Sequence, residues 1–169
     1  MKALKDYTIQ FVGLSQGTHT FEYKIDNTFF EKLDCEEFIH AKFSITIELI
    51  KQSTMLQLNF AFKGKITVPC DRCLDEVSVS VKGNEKLIVK FGNEESSIHD
   101  EILILPEGEH EINVAHYIYE FIRLNIPFRK THKESECNVE TLKKLKEISI
   151  QKQENIDPRW SALNNIKTK

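Results

Sequence analysis

Cys70 and Cys73 are separated by two residues in the run Cys70-Asp71-Arg72-Cys73. A Cys-x-x-Cys pair can bind a metal, exchange electrons as a dithiol, or simply be buried. Redox exchange needs the first thiol beside a helix N-terminus, where partial positive charge lowers its pKa. The residues after Cys73 alternate as a strand does, so that device is missing. A metal knuckle fits better, because a tight turn points both sulfurs the same way. Zinc takes four ligands, and the remaining candidates are His132 and Cys137. Three thiolates and one imidazole would join the Cys-x-x-Cys turn to a polar segment far along the chain, and structural zinc contributes on the order of 10 kcal/mol to folding. His132 and Cys137 do not repeat the knuckle spacing, and no glycine follows Cys73. Without a metal, the two cysteines would pack against a helix while Asp71 makes a turn bond.

Other chemical templates are absent. The chain has no glycine-rich phosphate loop and no Gly-x-Ser-x-Gly elbow. His110-Glu111 followed by His116 fails as a metalloprotease helix, which needs histidines four apart to share a face; these are six apart. The acidic residues are spread out and offer no catalytic pair. A non-enzyme is expected.

The elements that must hold these residues are mostly strands. Leu56, Leu58, Phe60 and Phe62 alternate before the Cys-x-x-Cys run, with Ile66 and Val68 beyond Gly64; Val77, Val79 and Val81 alternate after it. Period two on both sides of a polar tip predicts a β-hairpin. Its second arm continues, with a break at Gly83-Asn84, to Leu87, Val89 and Phe91. Upstream, alternation predicts strands over Tyr7–Phe11, Thr18–Ile25 and Phe38–Ile50, with a short helix at 27–34 capped by Asp26 or Asn27. Cys35 reads as a small buried hydrophobe. After an acidic loop, Glu101–Leu105 is a short strand. Asn113 is a candidate N-cap for a helix whose Val114, Tyr117, Ile118, Phe121 and Ile122 form one apolar stripe.

Beyond Pro127 the texture changes. Residues 128–136 are polar, Asn138 precedes a helical pattern of Val139, Leu142, Leu145 and Ile148, and Asp157-Pro158 starts a third helix carrying Trp160, Leu163 and Ile166. A helix of that length is marginal alone and must dock, so Trp160 either packs on the chain's own sheet or meets a partner. The expected class is α+β: a mostly antiparallel, strongly curved sheet or partial barrel, capped by one amphipathic helix near 114–125. The domain reading is one β-rich unit over residues 1–137 and a basic helical extension over 138–169.

Charge follows that division. From Arg123 onward the chain holds eleven Lys and Arg against six Asp and Glu, whereas the preceding part holds twelve against twenty; the net charge is −3. An acidic body with a basic end suits contact with nucleic acid or an acidic protein, and equally a solvated Lys-rich helix. The N-terminal residues lack a signal-peptide apolar run, no stretch reaches membrane-span length, and four scattered cysteines are no secreted scaffold; a reduced cytoplasmic setting is expected.

Three passages in order carry a resemblance. They are Cys70, Arg72, Cys73 and Leu74; then Glu120, Leu124, Asn125, Ile126 and Pro127; then Asp157, Pro158, Arg159 and Leu163. Together they resemble the bacterial YceD-like family of large ribosomal RNA subunit accumulation proteins. Many members carry a second cysteine cluster just after the Leu-Pro passage, where this chain has His132 and Cys137. The resemblance implies a cytoplasmic, non-catalytic factor in ribosome biogenesis, with large-subunit rRNA or ribosomal proteins as partners. The residues expected to meet them are Arg72, Arg129, Lys130, Lys143, Lys144, Asp157, Arg159 and Trp160. Lysines would meet phosphates in a salt-dependent way, and Trp160 would stack on an unpaired base or fill a protein pocket. The alternative is a protein–protein adaptor with a structural zinc and no RNA contact, which the acidic body favours.

Overall fold

Alternating apolar residues need a common core, and five strands of this chain build one sheet over it. The structure is a computed structural model and describes residues 2–35, 37–92 and 102–149. The strands are β2 (Gly17–Asp26), β3 (His40–Lys51), β4 (Met55–Pro69), β5 (Glu76–Phe91) and β6 (Ile102–Leu105), in that spatial order. The first four form an antiparallel meander; β6 lies parallel to β5, with Ile88 opposite Ile102. In β3, Phe43, Ile45, Ile47 and Leu49 are buried while Lys42, Ser44, Thr46 and Glu48 face solvent. Register keeps the buried residues together: Ile45 faces Phe62, Ile47 faces Phe60, and Leu58 lies between Leu49 and Leu87. A slip of one residue would turn each apolar set to solvent.

The class is α+β, as expected, but the sheet is a mixed, open one. It is neither closed nor strongly curled, so the partial barrel expected from strands in series is not formed. β6 explains part of the difference, because it adds to the edge in parallel instead of returning toward β2. The expected break at Gly83-Asn84 is absent too; β5 runs through it unbroken.

A second, two-stranded sheet pairs β1 (Thr8–Gln10) with β7 (Glu111–Asn113). It anchors the start of α2 (Ala115–Leu124). The Val114 N–H donates to the Tyr7 carbonyl at 2.9 Å, and the Asn113 side-chain oxygen accepts the Ala115 N–H at 3.0 Å. Asn113 thus does the capping work its position suggests, from one residue before the formal cap, Val114. Val114, Ile118 and Ile122 are buried, and Phe121 meets Phe60 edge-on at 5.0 Å. The far end of α2 is held as well. The Asn125 side-chain amide donates to Glu85 at 2.7 Å, and Asn125 sits over Gly83, where a Cβ would come within 2.6 Å of its side-chain oxygen. Upstream, α1 (Asn27–Glu31) is capped by Asp26, which accepts from the Thr28 N–H and hydroxyl. With α2 fixed at both ends, the chain leaving it at Pro127 is aimed at the β4–β5 tip.

Candidate metal centre

The predicted hairpin is present: β4 and β5 pair along their length and close at Pro69 opposite Glu76. Two bonds shape its tip. The Cys70 N–H donates to the Asp75 carbonyl at 2.8 Å, and the Leu74 N–H donates to the Cys70 carbonyl at 3.0 Å. Leu74 closes the loop at φ +65°. Glycine takes that left-handed backbone without penalty, whereas a side chain costs roughly 1–2 kcal/mol there. Leu74 therefore fills the conformational role of the missing glycine, with its own side chain 78% exposed.

The segment after α2 crosses this tip. The Asp71 N–H donates to the Lys130 carbonyl at 2.8 Å, and the Lys130 N–H donates to the Asp71 carboxylate at 2.6 Å. This pair of bonds places His132 at the tip, with Nδ1 3.4 Å from the Cys73 sulfur. Its Nε2 lies 2.9 Å from the Glu76 carbonyl oxygen. A carbonyl only accepts, so Nε2 carries the proton and Nδ1 is turned toward the sulfurs. Backbone orientation of this kind prepares a ligating histidine. A short 3-10 turn at Glu134–Glu136 then brings Cys137 beneath the tip.

The ligand atoms of Cys70, Cys73, His132 and Cys137 all lie within 4.8 Å of one another. Zinc–sulfur bonds of about 2.3 Å in a tetrahedron set sulfurs about 3.8 Å apart, so small adjustments would close this cluster on an ion. Cys70, Cys73 and Cys137 are buried and none is in a disulfide. Three soft thiolates and one imidazole make the donor set of a closed zinc site.

The electrostatics favour the same set. Burial pushes the Cys70 thiol up, but the backbone N–H groups of Cys73, Arg72 and His132 outweigh it and bring it down to about 6. Its partnership with the Cys70 sulfur raises His132, against the effect of burial, and the Glu76 carbonyl adds to the rise. The Cys70 sulfur and the His132 ring thus each favour the charged form of the other, and both present donor atoms to the same point. Burial, with the neighbouring Cys73 and Cys70 sulfurs, raises Cys137 to about 11. Several anionic sulfurs in one place need a cation to be stable together.

Of the residues expected to meet RNA or a partner, Arg72 lies in the tip, and Arg129 and Lys130 lie on the segment crossing it; Arg129 is exposed and Lys130 half-buried. Lys143 and Lys144 are exposed on α3 (Val139–Ile148), which is capped by Asn138. Asp157, Arg159 and Trp160 lie outside the described residues. Cys35 is buried apart from the cluster and accepts from Arg123 at 3.7 Å. Two roles at the tip were not read from the sequence: Leu74 was quoted only for the resemblance and its turn-closing backbone was missed, and Glu76 contributes only a carbonyl. Among the described residues, no helix is long and apolar enough to cross a membrane.

A family model described as "Large ribosomal RNA subunit accumulation protein YceD" matches residues 58–167, a span that includes the hairpin tip and all four candidate ligands. No curated protein and no solved structure matches the chain. With the match covering most of its length, the chain belongs to the YceD family of large ribosomal RNA subunit accumulation proteins.

Proposed function

We propose that this chain is a cytoplasmic, non-catalytic factor on which large-subunit rRNA accumulation depends, and that it acts by binding rRNA or a ribosomal protein during assembly. The observation that carries this reading is the family match across the hairpin tip and the basic segment laid over it. The four-residue cluster holds that segment in place. When bound, zinc would supply a crosslink, since four protein donors leave no open position for water or substrate. Cys70 and Cys73 belong to the hairpin tip; His132 and Cys137 belong to the crossing segment. Their joining orders Phe128 to Cys137, a stretch with few apolar side chains of its own.

In this reading residues 1–137 are the body and residues 138–169 a basic arm. No residue of α3 is fully buried, although Leu142 packs at the edge of the core. Lys143, Lys144 and Arg159 would meet phosphates, and Trp160 would anchor the arm on its target. The adaptor reading, in which a ribosomal protein is held and RNA is untouched, is favoured by the acidic balance of residues 1–122.

The test is sedimentation of the tagged chain from cell extract, with and without nuclease, alongside large-subunit rRNA levels after depletion. The reading expects co-sedimentation with precursors of the large subunit and a fall in its rRNA. Nuclease-resistant association would select the adaptor form. A chain that sediments apart from every precursor, with rRNA levels unchanged on depletion, would overturn both.

A further inference from the structure

Phe128 is 102% exposed, and it is the one Phe or Tyr ring among the described residues that stands in solvent. Its backbone is nonetheless held. Pro127 precedes it at the end of a helix pinned by Asn125, and the Asp71–Lys130 pair of bonds follows two residues later. A ring presented on fixed backbone loses little freedom on binding. Beside it lies a groove of about 560 Å³ whose walls include Phe38, Val68, Pro69 and Ile126. That volume is in the range that holds a small ligand group. The two carboxylates in the groove are engaged: Glu37 with Arg123 at 3.0 Å, and Asp71 with the Lys130 N–H. Residues 128–133 add Arg129, Lys130 and Lys133 and no acid.

We propose that Phe128 and this groove form a site for an unpaired RNA nucleotide, with the base stacked on the ring and the adjoining phosphates on Arg129 and Lys130. This rests on the ribosomal reading above and names the chemistry of its contact. An exposed aromatic beside cations is how single strands are held without sequence preference: every base has a face to stack, and phosphates follow the charge. Phe128 and Arg129 alone would suit a protein pocket equally, but Lys130 and Lys133 beside them would not, since lysine is depleted at such interfaces and suits phosphates. A duplex keeps its bases stacked inside and offers none to the ring.

The experiment is fluorescence anisotropy of the full chain with a fluorescein-labelled single-stranded oligouridylate and with the same strand in duplex. Phe128→Ala should weaken single-strand binding about five- to a hundredfold, and Phe128→Trp should restore it. Arg129→Gln should weaken binding and lower the salt slope by about one. Unchanged binding by Phe128→Ala, or equal binding of the duplex, overturns the site. So does a wild-type chain that binds no RNA while its nuclease-resistant association with precursors is broken by Phe128→Ala; that surface would be a protein contact. In each of these cases co-sedimentation and rRNA levels report separately on the ribosomal role, so the site can fail while that role stands.

Discussion

Asp71 and Lys130 hold each other by two hydrogen bonds in opposite directions, one through backbone alone and one onto the Asp71 carboxylate. The hairpin tip and the segment after α2 are thereby fastened next to the cysteines, between Cys70 and His132. Asp71→Ala removes the charge-assisted bond and leaves the backbone one. The expected cost is about 1.5 kcal/mol, the low end for a bond to a charged group because the site is exposed, read by denaturant melting, with faster hydrogen exchange at the Lys130 amide. Asp71→Asn retains an oxygen acceptor and should fall between the two. An unchanged Lys130 exchange rate in Asp71→Ala would show that the carboxylate bond does nothing to hold the segment.

Leu74 makes a second prediction. Its φ of +65° is a glycine conformation, and its side chain is largely in solvent. Leu74→Gly removes the clash and loses little packing, so it should stabilise the chain by about 1 kcal/mol despite glycine's freer unfolded state. Leu74→Ala keeps the Cβ and should bring no such gain. If the Gly variant is the less stable, the exposed leucine packs on something that the turn geometry does not reveal.

These two residues also show what could be read in advance. Alternation at Ile45, Ile47, Leu58 and Val79 is a local property of the sequence, so the strands and the hairpin were legible. Cys70, Cys73, His132 and Cys137 were legible by residue type, since few side chains bind soft metals. The parallel placement of β6 was not, because strand direction depends on the path between strands and not on their composition. The open sheet was missed for the same reason. The roles of Leu74 and Glu76 are backbone roles, one a dihedral and one a carbonyl, and any residue type can conceal them. Phe128 was passed over because a lone aromatic among charged residues has no periodicity to mark it.

Gly83 gives a third prediction. It was read as a strand break, but β5 is continuous there and the glycine makes room for Asn125 and the tip of the Phe62 ring, each 2.6 Å from where a Cβ would lie. Gly83→Ala should cost about 1–3 kcal/mol through overpacking. It should also push Asn125 from Glu85 and loosen the end of α2. The measurement is thermal unfolding together with amide exchange across residues 121–126. An alanine variant of wild-type stability, gaining strand propensity with no loss at α2, would show that the helix end yields freely.

The fourth prediction concerns the metal itself. Cys70, Cys73, His132 and Cys137 form one donor set, so removing any of them should abolish tight zinc binding and not merely weaken it by a quarter. Purified chain should carry zinc, release it to a strong chelator, and then lose protease resistance first over residues 128–137. The hairpin arms should be less affected, because their pairing runs from Met55 opposite Lys90 to Pro69 opposite Glu76 without the cluster's help. Cys35→Ser is the control: that thiol is buried but stands apart from the set, against Arg123, and its variant should retain the metal. Elemental analysis and limited proteolysis of the same preparations separate the outcomes. Full zinc content in Cys137→Ser, or a protease pattern indifferent to chelation, would mean that the cluster is a packed group of thiols and that the crossing segment is held by Asp71 and Lys130 alone.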